Sequence, residues 1–144
     1  MIGKQPMRRP GTLAEVAKAV RAHHQTFDNA LAEFLDEFFM REDARAQMIA
    51  EEPDAILDPR QDAYLGAVGE HLARRWRLPI PAWTEAPMRF LKQPFFLTPL
   101  EDLKAMLLVE SPLAFRRRMI FVEAEPLRRA RMTTALTRAD VSGR

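Results

Sequence analysis

Five prolines, Pro79, Pro81, Pro87, Pro94 and Pro99, punctuate one stretch of this chain. Each lacks a backbone N–H and biases the residue before it away from helical angles, so no long helix crosses the stretch. Threaded between them are Trp83, Phe90, Leu91, Phe95, Phe96 and Leu97, more apolar surface than a solvated linker carries. The stretch therefore reads as an ordered connection, with a short helix over 87–92, packed across helices made elsewhere.

Those helices are written on both sides of it. Thr12 and Glu15 form a capping box, opening a helix over 13–23 with Leu13, Val16 and Val20 on one side. Phe27, Leu31, Phe34, Leu35, Phe38 and Phe39 then recur at i, i+4, i+7, i+8, i+11 and i+12, the stripe of a 3.6-residue period. Its phenylalanines are either core or a dimer seam, and core is favoured because a domain of this size needs that area buried. A short helix over 41–50 is stopped by Pro53. Asp58-Pro59 supplies an N-cap carboxylate and a first-turn proline for a helix to residue 77. Leu65, Val68, Leu72 and Trp76 share one of its faces, while Gly66, Gly69 and Ala73 lie on a neighbouring face suited to close backbone approach. Thr98-Pro99-Leu100-Glu101 repeats the capping logic and predicts a helix to residue 110. Leu100, Leu103, Met106, Leu107 and Val109 leave it little polar surface, so it is expected to be central. Ser111-Pro112 caps a last helix carrying Leu113, Phe115, Arg116, Arg117 and Arg118. Met119-Ile120-Phe121-Val122 ends that helix or forms a lone extended segment.

The fold expected is all-α: one compact helical domain of five to six helices over 12–127. A flexible basic arm (1–11) and a basic tail (128–144) flank it. Of the 144 residues, 47% are hydrophobic, enough for a core and against global disorder. The uninterrupted apolar runs are far short of the roughly 20 residues that span a bilayer, and the start does not resemble a signal peptide. With no cysteine the chain offers no disulfide or thiolate site, in keeping with a reducing compartment, and a cytoplasmic location is expected. Net charge is +2, unevenly spread: residues 28–62 hold eleven acids against three bases, a balance of −8, and residues 112–144 hold eight arginines against three acids, a balance of +5. Such polarity suits partners of both signs.

Catalytic chemistry is scarce. His23 and His24 are adjacent and His71 has no second histidine three or four residues away, so no helical metal pair exists. Thr12, Thr84, Thr98 and Ser111 precede helices or prolines, where capping accounts for them. There is no nucleophile elbow and no phosphate-cradling glycine loop. The acid pairs Asp36-Glu37, Glu42-Asp43, Glu51-Glu52 and Glu101-Asp102 fall on faces expected to be solvated, whereas acid–base catalysis needs carboxylates in unlike environments. No enzyme activity, metal or cofactor is expected. The basic clusters, Arg74, Arg75 and Arg77 and then Arg116, Arg117 and Arg118, suit phosphates but also suit helix C-termini, where cations offset the dipole.

Three strings stand out together: Glu70-His71-Leu72-Ala73-Arg74-Arg75, Leu78-Pro79-Ile80-Pro81-Ala82-Trp83-Thr84, and Pro112-Leu113-Ala114-Phe115-Arg116-Arg117-Arg118-Met119-Ile120-Phe121-Val122. They resemble a family of small bacterial helical proteins that look like antitoxin-type partners of nucleotidyltransferase-like toxins. The resemblance covers roughly residues 60–130 and implies a role, not a set of functional residues.

The expectation is thus a non-catalytic binding protein, an antitoxin-like neutraliser of a nucleotidyltransferase-like protein. A nucleic-acid-binding transcriptional regulator and a structural subunit of a larger assembly are the alternatives, and a homodimer is compatible with each. The residues expected to meet the partner are Arg116, Arg117, Arg118, Arg128, Arg129 and Arg131, with Trp83. Arginines inserted into a nucleotidyltransferase pocket would compete there with nucleotide.

Overall fold

In a computed structural model, which describes residues 9–129, Thr12 Oγ1 accepts from Glu15 N–H at 3.0 Å. Glu15 returns the contact to Gly11 N–H at 2.6 Å, one residue earlier than a standard capping box. Helix α1 (Leu13–Arg21) buries Leu13, Val16 and Ala17. It stops two residues short of the expected end because His23 turns left-handed at φ 60°, and the His24 N–H folds back onto Ala19 O at 3.0 Å.

Thr26 caps α2 (Phe27–Met40) through Asn29 N–H. The aromatic stripe faces inward, with Ala30, Leu31, Phe34, Leu35 and Phe38 buried and Phe27 and Phe39 half-buried, so it is core. Helix α2 packs on α1. The C-terminal carbonyls of α2 are met by Arg45, from α3 (Arg45–Ala50). Its Nε and Nη2 donate to Phe38 O and Phe39 O, both at 2.9 Å, and its guanidinium lies 4.1 Å from the Trp76 ring centre. A cation at this end of a helix also meets the negative pole of its dipole.

The central element is α4 (Pro59–Arg75), capped by Asp58, which accepts from Arg60 and Gln61 N–H. Ala63, Leu65, Val68 and Leu72 are fully enclosed, and so is the row of small residues beside them. Across that row lies the proline-rich connection, as two 3₁₀ turns at Ala82–Glu85 and Pro87–Arg89 where a helix over 87–92 was expected. A Cβ on Gly66 would sit 2.7 Å from Arg89 Cβ, and one on Gly69 would sit 3.0 Å from the Trp83 ring and Thr84. The two glycines therefore set how closely the connection approaches. Helix α4 ends at Arg75, with Arg77 left-handed at φ 57°.

Two expectations about the second half are corrected. Residues after Met119, itself left-handed at φ 61°, do not stay lone. Strand β1 (Phe95–Phe96) pairs in parallel with β2 (Ile120–Phe121), in the register Phe95 to Ile120 and Phe96 to Phe121, and the Phe96 and Phe121 rings stack at 4.9 Å. Helix α5 (Glu101–Glu110), expected at the centre, lies at the edge. Among its residues only Leu107 is buried, and Thr98 hydrogen-bonds Leu100 N–H in place of a cap. Helix α5 touches β2, and Ser111 fastens it: the Ser111 hydroxyl donates to Leu107 O at 2.6 Å and accepts from Val122 N–H at 2.9 Å. Helix α6 (Leu113–Arg116) then buries Ala114 and Phe115 against α4. The result is a single all-α domain with six helices among the described residues and one two-residue strand pair.

Candidate functional site

The strongest concentration of charge lies inside the molecule. Glu70, on the small-residue face of α4, has no exposed surface. Its carboxylate accepts from Arg118 at 2.6 Å, Arg117 at 2.7 Å and Arg74 at 2.7 Å. Arg118, equally enclosed, also donates to Thr84 O at 2.6 Å and Ala114 O at 2.8 Å. Arg117 forks onto Glu85 at 2.8 and 3.0 Å. Burial alone would raise the Glu70 pKa, but the hydrogen bonds from Arg118, Arg74 and Arg117 outweigh it and hold the carboxyl down to about 2. A carboxylate held ionised near neutral pH and engaged by three guanidinium groups has no proton to give and is poorly placed to take one.

This hub joins the three strings singled out in the sequence. Glu70 and Arg74 come from the first, Thr84 from the second, and Arg117 and Arg118 from the third. One buried carboxylate thus locks α4, the proline-rich turns and the segment after α6. A second lock stands beside it. Buried Arg89 donates to Pro53 O at 2.7 Å and Asp62 O at 3.2 Å, and lies 3.8 Å from the Asp62 carboxylate. That carboxylate accepts from Ile56 N–H at 2.7 Å and Leu57 N–H at 3.1 Å. Leu57 is thereby held left-handed at φ 74° with 80% of its surface exposed.

The residues expected to form a partner-binding patch are dispersed. Arg118 is inside the hub, with no surface to offer a partner, and Trp83 is buried, its indole N–H donating to Ile49 O at 3.0 Å. Arg116 is exposed and closes the end of α5 by donating to Ser111 O at 2.8 Å. Arg117 is partly exposed but bound to Glu70 and Glu85. Arg129 pairs with Asp36 at 3.0 Å. Arg128 is exposed at the rim of a cleft of about 530 Å³, with Phe27, Tyr64 and Leu127 in its wall. Arg131 lies outside the described residues. The triplet splits three ways because consecutive residues of a tight helical turn project in different directions. Sequence reasoning passed over Glu70, Asp62 and Arg89. The one local signal was Glu70 itself, an acid set between Gly66, Gly69 and Ala73 on a face too close-packed for a solvated charge.

Two outward features remain. One is α5 and its flanks, where Leu97, Leu100, Leu103, Met106, Leu108, Val109 and Leu113 are all exposed, Val109 by 77%. A helix this rich in apolar side chains is normally covered on more than one side, and large exposed apolar patches on single chains tend to mark interaction sites. The other is a groove of about 760 Å³ between Leu57 and the segment from Pro87 to Phe95. Phe90, Leu91 and Phe95 lie in its wall together with Arg60 and Lys92. Among the described residues no group of three His, Cys, Asp or Glu side chains is placed to hold a metal. Nor is any helix there long and apolar enough to cross a membrane.

Fold and site together define an architecture: a single all-α domain with two buried ionic locks and apolar side chains exposed on α5. Beyond that architecture, comparison with protein-family models, with curated proteins and with solved structures gives no match.

Proposed function

We propose that this chain is a non-catalytic binding protein whose α5 face docks onto a partner protein, and that it acts as an antitoxin-like neutraliser of a nucleotidyltransferase-like toxin. The observation that carries the docking is the exposed run from Leu97 to Leu113, an amphipathic arrangement turned inside out. Helix-in-groove recognition uses such a face, and Leu103 and Met106 stand exposed at i and i+3 of α5. The identity of the partner rests on the resemblance carried by the three strings. The contact is apolar in this reading, not the insertion of an arginine triplet, since Arg117 and Arg118 are engaged with Glu70. The same engagement ranks the nucleic-acid regulator second: Arg74, Arg117 and Arg118 already have carboxylate partners.

The test is co-expression with the product of the neighbouring gene, which this reading expects to be nucleotidyltransferase-like. The wild-type chain is expected to restore growth and co-purify at equal stoichiometry. Leu103→Lys with Met106→Lys is expected to abolish both while leaving the thermal unfolding of the isolated chain unchanged. Rescue by that double variant removes α5 from the contact. The absence of any toxic, co-purifying neighbour removes the neutraliser reading.

A further inference from the structure

We propose that the groove beside Leu57 is a second docking site, separate from α5, and that its occupant is an acidic polypeptide segment carrying apolar side chains.

Leu57 is the first indication. A β-carbon in the left-handed region is strained against the following carbonyl, and exposing a leucine gains nothing in return. Yet Asp62 and Arg89, both buried, hold Ile56 and Leu57 in this geometry through two backbone N–H bonds to one carboxylate. Strain that the surrounding structure over-determines is characteristic of binding elements. Leu57 stands at the mouth of the groove as a preformed knob.

The charges around the groove give the second. Asp58 and Asp62 are occupied by backbone N–H groups, at Arg60 and Gln61 for the one and at Ile56 and Leu57 for the other. The cations are not similarly occupied. Arg60 lies flat over the Phe95 ring at 4.2 Å and, like Lys92, has no carboxylate partner among the described residues. An occupant with carboxylates at these two points completes the pairing. The apolar wall of Phe90, Leu91 and Phe95 and the strand edge beside it favour a polypeptide over a phosphate backbone.

The third is the adjoining strand. Phe95 N–H and Leu97 N–H point to β2, at Met119 O and Phe121 O. The Phe96 N–H between them points away from β2, and β1 is an edge of the two-stranded sheet. An extended peptide can add to such an edge while its side chains enter a neighbouring apolar groove.

The experiment is a selection of random twelve-residue displayed peptides against the immobilised full chain, with enriched peptides measured by fluorescence anisotropy. Enriched peptides are expected to combine Asp or Glu with aliphatic or aromatic residues and to weaken at least tenfold against Lys92→Glu and against Arg60→Glu. They are expected to bind Leu103→Lys/Met106→Lys as they bind the wild type, which separates this site from the α5 reading. Four results overturn the proposal: no enrichment, enriched peptides without acids, binding indifferent to Lys92→Glu, or loss of binding in the α5 variant. A labelled oligothymidylate serves as the competing probe. If it binds and Lys92→Glu abolishes that binding while no peptide is selected, the groove is a nucleic-acid site and the proposal is wrong.

Discussion

Replacing Glu70 by glutamine keeps its shape and removes its charge, leaving Arg118 enclosed without its anionic partner. Two independent routes give the size of the effect. Breaking a buried ion pair by removing one member costs roughly 3–5 kcal/mol, because the survivor remains desolvated. A carboxyl held at about 2 in the fold against 4.5 when free corresponds to about 3 kcal/mol of coupling. Against a total stability of about 5–15 kcal/mol for a domain, Glu70→Gln is severe but survivable. In urea, followed by tryptophan fluorescence, the midpoint is expected to fall by about 2 M for a slope of roughly 1.5–2 kcal/mol/M. The pH dependence carries a sign as well. Because folding lowers the pKa of Glu70, its contribution is complete above about pH 4.5 and is lost as pH falls toward about 2. Over that window the wild type should lose about 3 kcal/mol more than the variant. In a double-mutant cycle, Glu70→Gln and Arg118→Met should couple by more than about 2 kcal/mol. A variant within about 1 kcal/mol of wild type, or with the same pH slope, would refute the assignment of the hub as the principal lock.

Two further substitutions test the backbone. Gly66→Ala raises helix propensity by about 1 kcal/mol, yet its methyl would meet Arg89 Cβ at 2.7 Å and Arg118 Nε at 3.0 Å. The clash should win, with a net loss of about 1–3 kcal/mol visible as a lower Tm; an unchanged or higher Tm would mean the connection moves freely over α4. Leu57→Gly relieves a left-handed β-carbon worth about 1–2 kcal/mol against an added chain-entropy cost of about 0.5–1 kcal/mol; the isolated chain should gain about 0.5–1 kcal/mol, while any peptide selected for the groove binds more weakly. Denaturation of the free chain and anisotropy of the complex check the two halves separately.

Local rules in the sequence predict much of this fold. The aromatic stripe of α2, the cap at Asp58-Pro59 and the small-residue face of α4 follow from period, capping and side-chain size, and those determinants lie within a few residues of their effect. What was not legible is non-local. Glu70 finds its partners 47 and 48 residues later, and nothing near Glu70 in sequence names Arg117 and Arg118. Helix α5 was misplaced because apolar content says that a helix is to be covered, not by what. Its register gives the core only Leu107. The left-handed turns at His23, Leu57, Arg77 and Met119 carry no glycine, so the usual punctuation was missing from the ends of α1 and α4. The arginine triplet looked like one patch because adjacency in a string is not adjacency on a surface.

The distance between Glu70 and its arginines sets a schedule for the chain as it is made. Helix α4, with Arg74, is complete when residue 75 is added, but two of the three arginines that engage its enclosed carboxylate arrive only with residues 117 and 118. At about 5–20 residues per second, synthesis of the intervening segment takes on the order of 2–10 seconds. During that interval the proline-rich turns can already reach the small-residue face of α4, but the Glu70 carboxylate has only Arg74 to pair with. The nascent N-terminal half must therefore wait as a partial bundle of α1 to α4. Released chains truncated before residue 117 should be far more sensitive to protease than the full chain.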